Sequence, residues 1–142
     1  MSSLRVVLDS NVYISAFLFG GVPAGVIELA LGGSILVYTS IPILDEIRDV
    51  LRRPKFGLSS SQAFTLIEEI HSLCRMVSSE EQVLAVKEDP DDNKILECAL
   101  AAGVEVIVSG DSHLLRLQQW RGIKILTPAD FLRKAEHLTK KQ

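Results

Sequence analysis

Leu4-Arg5-Val6-Val7-Leu8-Asp9-Ser10-Asn11 is a short, almost wholly apolar run that ends abruptly in a polar cluster. A strand buried on both faces reads as such a continuous run rather than as an alternation, which is the mark of a parallel sheet. The pattern recurs at Ile35–Thr39 and at residues 104–108, and more weakly at Ile123–Leu126. Between these runs lie helical patterns over residues 24–31, 42–52, 60–73, 90–102 and 128–137. Asp89-Pro90-Asp91-Asp92 offers an N-cap acid, a proline at the first helical position and an acid in the first turn, and Gly103 closes the same helix. Thr127-Pro128-Ala129-Asp130 repeats that logic before the last helix. Strands alternating with helices of this length predict right-handed βαβ crossovers and a parallel sheet covered on both faces. The expected class is α/β, with ligands bound beyond the carboxyl ends of the strands.

Composition fits one domain over residues 1–142, with 138–142 expected as a flexible tail. A chain of this length buries roughly two thirds of the surface its unfolded form exposes. Of its residues 47% are hydrophobic and only 6% aromatic, and the formal net charge is −3, which excludes an intrinsically disordered chain. Cys74 and Cys98 lack metal-site spacing and read as buried reduced thiols. Residues 1–5 run straight into the first strand with no charged-then-apolar leader, so a cytoplasmic location is expected. The longest apolar stretch, 24–38, contains Glu28 and Gly32-Gly33 and falls short of the ~20 apolar residues a membrane span needs. Mild acidity also argues against holding nucleic acid by bulk charge.

The acids are placed less evenly than the composition suggests. Asp9 and Asp111 each follow a predicted strand, so a parallel sheet brings them to one edge. Helix capping is the ordinary role of Asp, Ser and Asn at such positions and stays open for each. Glu46 lies beside the apolar stripe of Ile43, Ile47, Val50 and Leu51 rather than at the centre of its helix's polar face, and its ordinary role as a boundary glutamate that reaches solvent or pairs with a lysine stays open as well. Asp92 precedes Ile95 and Leu96 by three and four residues and therefore faces the sheet, whereas Asp91 shares a face with Lys94. Asp9, Glu46, Asp92 and Asp111 thus project from four segments toward one edge. Two carboxylates ~5 Å apart repel by roughly 3 kcal/mol at an effective dielectric of 20. Such a group raises its pKa values or binds a cation.

Hard oxygen donors without clustered Cys or His favour Mg²⁺ or Mn²⁺. Asn11, Ser40 and Ser109 are candidates to hold waters or orient the carboxylates. The chemistry such a site serves best is phosphodiester hydrolysis, which then needs no protein nucleophile. Each bound divalent ion offsets two of the three net negative charges, which weakens the objection to a nucleic-acid substrate. Candidate phosphate contacts are Arg52, Arg53 and Lys55 after the Glu46 helix, and Arg116 and Arg121 after Asp111. Trp120 and Phe56 are candidates for base stacking or for packing. Two other classes fit less of the sequence. One is a binding module without useful catalysis, suggested by the scarcity of basic residues. The other is an aspartate-based phosphoryl-transfer domain, which would need a second Asp two positions after Asp9.

These segments together resemble the PIN-domain nucleases. Val7-Leu8-Asp9-Ser10-Asn11 is similar to that family's opening strand and first acid, and Thr39-Ser40-Ile41-Pro42-Ile43-Leu44-Asp45-Glu46-Ile47 to its second strand and second acid. Asp89-Pro90-Asp91-Asp92-Asn93-Lys94-Ile95-Leu96-Glu97-Cys98-Ala99 and Ile107-Val108-Ser109-Gly110-Asp111 resemble the segments carrying the third and fourth. The resemblance implies a three-layer α/β/α sandwich with a mainly parallel sheet. It is nearest the branch of bacterial and archaeal toxin components of toxin–antitoxin pairs. That branch implies a Mg²⁺- or Mn²⁺-dependent ribonuclease acting on single-stranded RNA, with an antitoxin partner and often a dimer. Its catalytic and metal-holding residues would be Asp9, Glu46, Asp92 and Asp111. His113 departs from the pattern, since relatives often carry another acid there. It is expected either to touch phosphate or to stand exposed.

Overall fold

The computed structural model describes residues 3–86 and 92–140, with side chains up to Ala135. Strand β1 (Leu4–Leu8) leads into helices α1 (Ser10–Phe19) and α2 (Gly21–Leu31), and β2 (Ile35–Thr39) leads into α3 (Ile41–Leu51). A 3₁₀ turn at Pro54–Phe56 precedes α4 (Ser60–Leu73) and β3 (Arg75–Met76). Then come α5 (Asn93–Ala102), β4 (Val106–Val108), α6 (Ser112–Leu115), β5 (Gln119–Trp120), β6 (Ile123–Leu126) and α7 (Pro128–Lys140). The described strands form one sheet in the order β3-β2-β1-β4-β6-β5, parallel throughout except for the β5–β6 pair.

Val6, Val7, Leu8, Ile107 and Val108 are wholly buried, so side chains on both faces of the central strands are covered. That is the physical content of the continuous apolar runs, and the architecture is the expected α/β sandwich with a mostly parallel sheet. Helix α5 packs on β1, β2 and β4, α2 on β2 and α7 on β6, while α1 lies against α2 and α3. Leu8 pairs with Val108, and the ladder extends one residue further through Asp9 N–H to the Val108 carbonyl at 2.9 Å. Because β1 lies between β2 and β4, the chain segments leaving these three strands emerge side by side at one edge.

Several boundaries differ from the sequence expectation for identifiable reasons. Helix α1 has no counterpart in the pattern, because residues 12–14 and 16–19 are almost uniformly apolar and show no period. It meets α2 at a bend of 101°, made by Gly20 at φ +74°, a left-handed backbone that glycine adopts without strain. Strand β4 begins at Val106 rather than at Val104, although Glu105 N–H already donates to the Arg5 carbonyl at 3.0 Å. Helix α7 runs to Lys140 instead of ending at His137. Its predicted cap is present, with Asp130 N–H donating to Thr127 Oγ1 at 3.1 Å. In α5 the described residues begin with Asp92 leading the helix, and Asp89, Pro90 and Asp91 lie outside the described residues. Among the described residues no single helix is long and apolar enough to cross a membrane.

Candidate active site

Asp9 ends the first strand and is 4% exposed. It stands at the N-cap position of α1 but its side chain makes no capping bond, so capping does not explain it. Its Oδ2 instead accepts the hydroxyl of Ser109 at 2.6 Å. The same Ser109 oxygen accepts the backbone N–H of Asp111 at 2.9 Å, so one buried serine ties the end of β1 to the loop after β4. Burial pushes the Asp9 carboxyl above its ordinary 3.8, and the charges of Glu46 and Asp111 add to the rise; the Ser109 bond opposes it.

Asp111 does cap its helix. Its Oδ1 accepts the N–H groups of His113 at 2.8 Å and Leu114 at 3.3 Å. The capping bonds engage Oδ1 alone, so capping and ligand binding are compatible at this residue. Asp92 is buried at the head of α5. Asparagine 93, next to it, clamps the chain: its Oδ1 accepts Val86 N–H at 2.8 Å and its Nδ2 donates to the Val86 carbonyl at 3.0 Å. This buried amide pair fixes where α5 starts and hence where Asp92 sits. Glu46, on α3, is half-buried, and its Oε1 lies 2.9 Å from Lys94 Nζ on α5. The boundary glutamate of the sequence reading is therefore ion-paired across two helices.

One oxygen each of Asp92 and Asp111 and one ring nitrogen of His113 lie within 4.8 Å of one another. His113 Nδ1 is buried, has no hydrogen-bond partner, and stands 3.7 Å from Asp111 Oδ1. His113 thus neither stands exposed nor points away from the acids. The tightest described cluster is two acids and this histidine, with Asp9 and Glu46 close enough to feel the same charge. Only its place two residues after Asp111 hinted at this in the sequence. The Ser10 hydroxyl beside Asp9 is also buried without a hydrogen-bond partner. Buried polar atoms are normally satisfied, so an orphaned ring nitrogen beside two carboxylates, with a lone pair to offer, fits a site that takes a cation.

The other sequence candidates scatter. Ser109 acts on Asp9 as described. Ser40 is buried at the start of α3 without a capping bond, and Asn11 stands exposed on the first turn of α1. Arg52, Arg53, Lys55 and Arg116 are exposed. Lys55 lies over the Phe56 ring at 5.1 Å, and Phe56 meets Phe19 at 6.5 Å between centroids. Arg121 is taken up by Glu81 at 3.1 Å and by the Trp120 face at 4.7 Å. Both cysteines are free, and burial pushes Cys74 up to about 11 and Cys98 up to about 12, so neither thiol ionises near neutrality.

Comparison with known proteins agrees with this fold. A protein of Methanocaldococcus jannaschii, itself described as uncharacterized, is 28% identical over 94% of this chain and 92% of its own length. VapBC2 from Rickettsia felis, solved bound to a DNA fragment from its promoter, has a similar fold, with a TM-score of 0.61 at 12% identity over 86% of this chain and 97% of that one. PAE2754 from Pyrobaculum aerophilum is similar with a TM-score of 0.64 at 13% identity, over 96% of this chain and 99% of that one. The PIN-domain family pattern matches residues 5–113, the span that holds Asp9, Glu46, Asp92, Asp111 and His113. The chain belongs to the PIN-domain family, whose members are generally nucleases that typically use divalent metal ions.

Proposed function

We propose that this protein is a Mg²⁺- or Mn²⁺-dependent endoribonuclease acting on single-stranded RNA, and the toxin of a toxin–antitoxin pair. The observation that carries the reading is the convergence of Asp92, Asp111 and His113 within 4.8 Å beside the buried Asp9. Asp9, Glu46, Asp92 and Asp111 would hold the metal, with His113 as a neighbouring donor. When bound, the ion supplies a polarised water and neutralises charge on the phosphate and leaving oxygen. The chain's own residues prepare that site. The Ser109 bond favours the charged form of Asp9 that a hard cation requires, against the burial that raises it. Asn93 fixes Asp92, and the Asp111 cap fixes the loop that presents His113. Lys94, paired with Glu46, keeps a positive charge where the substrate's phosphate would arrive.

The toxin reading rests on the family resemblance and on the fold shared with VapBC2. Phe19, Val22 and Phe64 are exposed apolar side chains that favour a protein partner, either an antitoxin or a second copy. The deciding experiment is cleavage of single-stranded RNA and DNA by purified protein with Mn²⁺, with EDTA, and with Asp9→Asn. RNA cleavage that stops with EDTA and falls roughly 100-fold in Asp9→Asn is expected, a loss typical of a removed electrostatic contact. Equal cleavage by wild type and variant would overturn the assignment.

A further inference from the structure

Oxygen is the ordinary donor to a hard ion, and the fold sets a nitrogen among the oxygens here. His113 lies in the first turn of α6, where its backbone N–H donates to Asp111 Oδ1 at 2.8 Å. That bond fixes the chain from which the ring projects. One ring nitrogen falls within 4.8 Å of an oxygen of Asp92 and an oxygen of Asp111. Donors around one ion at about 2.1 Å lie roughly 3 to 4 Å from one another. Small side-chain rotations therefore bring all three onto a single cation. Among the described residues no group bonds Nδ1, which is buried and stands 3.7 Å from Asp111 Oδ1, too far for a hydrogen bond.

The carboxylates beside this ring are partly engaged already. Asp9 Oδ2 accepts the Ser109 hydroxyl at 2.6 Å, and Asp111 Oδ1 accepts the backbone N–H groups of His113 and Leu114. Glu46 Oε1 lies 2.9 Å from Lys94 Nζ, which offsets its charge. Mg²⁺ is held by oxygen ligands, demands near-ideal octahedral geometry and gives up its waters reluctantly. A set of acids engaged in this way offers it less, and an imidazole does not make up the difference. Divalent ions of the first transition row accept nitrogen and oxygen donors together, with affinity rising from Mn²⁺ through Fe²⁺ and Co²⁺. The ring nitrogen thus adds binding for them that Mg²⁺ does not share.

We infer that His113 is a direct metal ligand and that it makes the site select a divalent first-row transition ion over Mg²⁺, an inference that rests on the metal-dependent reading above and narrows its choice of ion. The selectivity resides in one side chain, because the acids alone serve either kind of ion. Mn²⁺ stands at the weak end of its series, so it is the most stringent probe of the preference.

The test uses metal-free wild type, His113→Asp and His113→Ala. Each is titrated calorimetrically with Mn²⁺ and with Mg²⁺, and pulsed electron paramagnetic resonance of each Mn²⁺ complex reads whether a nitrogen is bonded to the ion. Wild type is expected to show nitrogen coupling to Mn²⁺, and both variants to lack it. His113→Asp, which puts an oxygen in place of the nitrogen, should keep most of the Mn²⁺ affinity and gain in Mg²⁺ affinity. The preference for Mn²⁺ over Mg²⁺ should therefore fall about tenfold. A merely structural histidine would move neither the coupling nor that ratio, and the wild-type spectrum decides the ligand role even where a variant fails to fold. A wild-type Mn²⁺ complex without nitrogen coupling, or a ratio that His113→Asp leaves unchanged, overturns the inference. Cleavage of RNA in that case leaves the ribonuclease reading standing on an all-oxygen site. Nitrogen coupling with the expected ratio in a protein that cuts no RNA supports the inference and removes the ribonuclease reading instead. Absence of saturable Mn²⁺ binding by wild type overturns the inference outright.

Discussion

The hydroxyl of Ser109 donates to Asp9 Oδ2 at 2.6 Å inside the sheet's carboxyl edge, where both residues are almost completely buried. That bond works against the burial that raises the Asp9 carboxyl. Ser109→Ala removes the opposing effect, so Asp9 should rise further and hold its proton to a higher pH. Because a cation needs the deprotonated carboxylate, the acidic limb of the pH–cleavage profile should move to higher pH, with little change on the alkaline side. A profile that keeps its acidic limb in place would show that Asp9 does not titrate in the reaction.

The same rise has a consequence for stability. An acid whose folded-state pKa lies above its unfolded value disfavours folding once it is charged; the penalty is absent well below 3.8 and fully present above the folded-state value. Stability should therefore fall through this group as pH rises. Asp9→Asn removes the charge and keeps an acceptor for Ser109, so the metal-free variant should melt a few degrees higher than wild type at pH 7 and no higher at pH 3. Adding Mn²⁺ should stabilise wild type and narrow or reverse the gap, a change read directly by thermal melts.

His113 supplies a ring nitrogen that is buried and has no hydrogen-bond partner next to Asp111. Replacing it with Ala should weaken Mn²⁺ binding about tenfold, at the lower end of what supporting groups contribute to metal sites. His113→Asp should recover much of that loss, since a carboxylate suits the same hard ion. Titration calorimetry on the two variants separates this role from one in phosphate contact, which would leave metal affinity unchanged.

Asn93 makes two buried hydrogen bonds to the backbone of Val86. Asn93→Ala should cost about 1–3 kcal/mol by stranding both backbone groups, measured by urea unfolding. It should also weaken Mn²⁺ binding, because Asp92 loses the clamp beside it. Destabilisation with unchanged metal affinity would limit Asn93 to the fold.

What was legible in the sequence follows from which signals are local. Buried parallel strands announce themselves as apolar runs, so β1, β2 and β6 and the acids at the strand ends could be placed from the chain alone. Helix α1 could not, because a helix covered on most sides has no polar face to reveal its period. Strands β3 and β5 are two residues each, too short for any pattern, yet they set the two edges of the sheet. Within the site, the Glu46–Lys94 pair joins side chains from α3 and α5, and Ser109 reaches a carboxylate one hundred residues earlier. The sequence offers Ser109 as a residue that orients a carboxylate, but no spacing rule says which acid it meets or that Lys94 is the partner of Glu46. The proximity of His113 to Asp92 is illegible for the same reason: Asp92 comes from another helix, and only the fold brings them within ligand distance.

The central claim, that Asp9, Glu46, Asp92 and Asp111 form a cation site, is tested most directly by calorimetric titration of metal-free wild type and Asp92→Asn with Mn²⁺ near neutral pH. Saturable binding by wild type, weakened at least about tenfold in the variant, is the predicted result. Absence of saturable binding by wild type, or equal binding by both proteins, would contradict it.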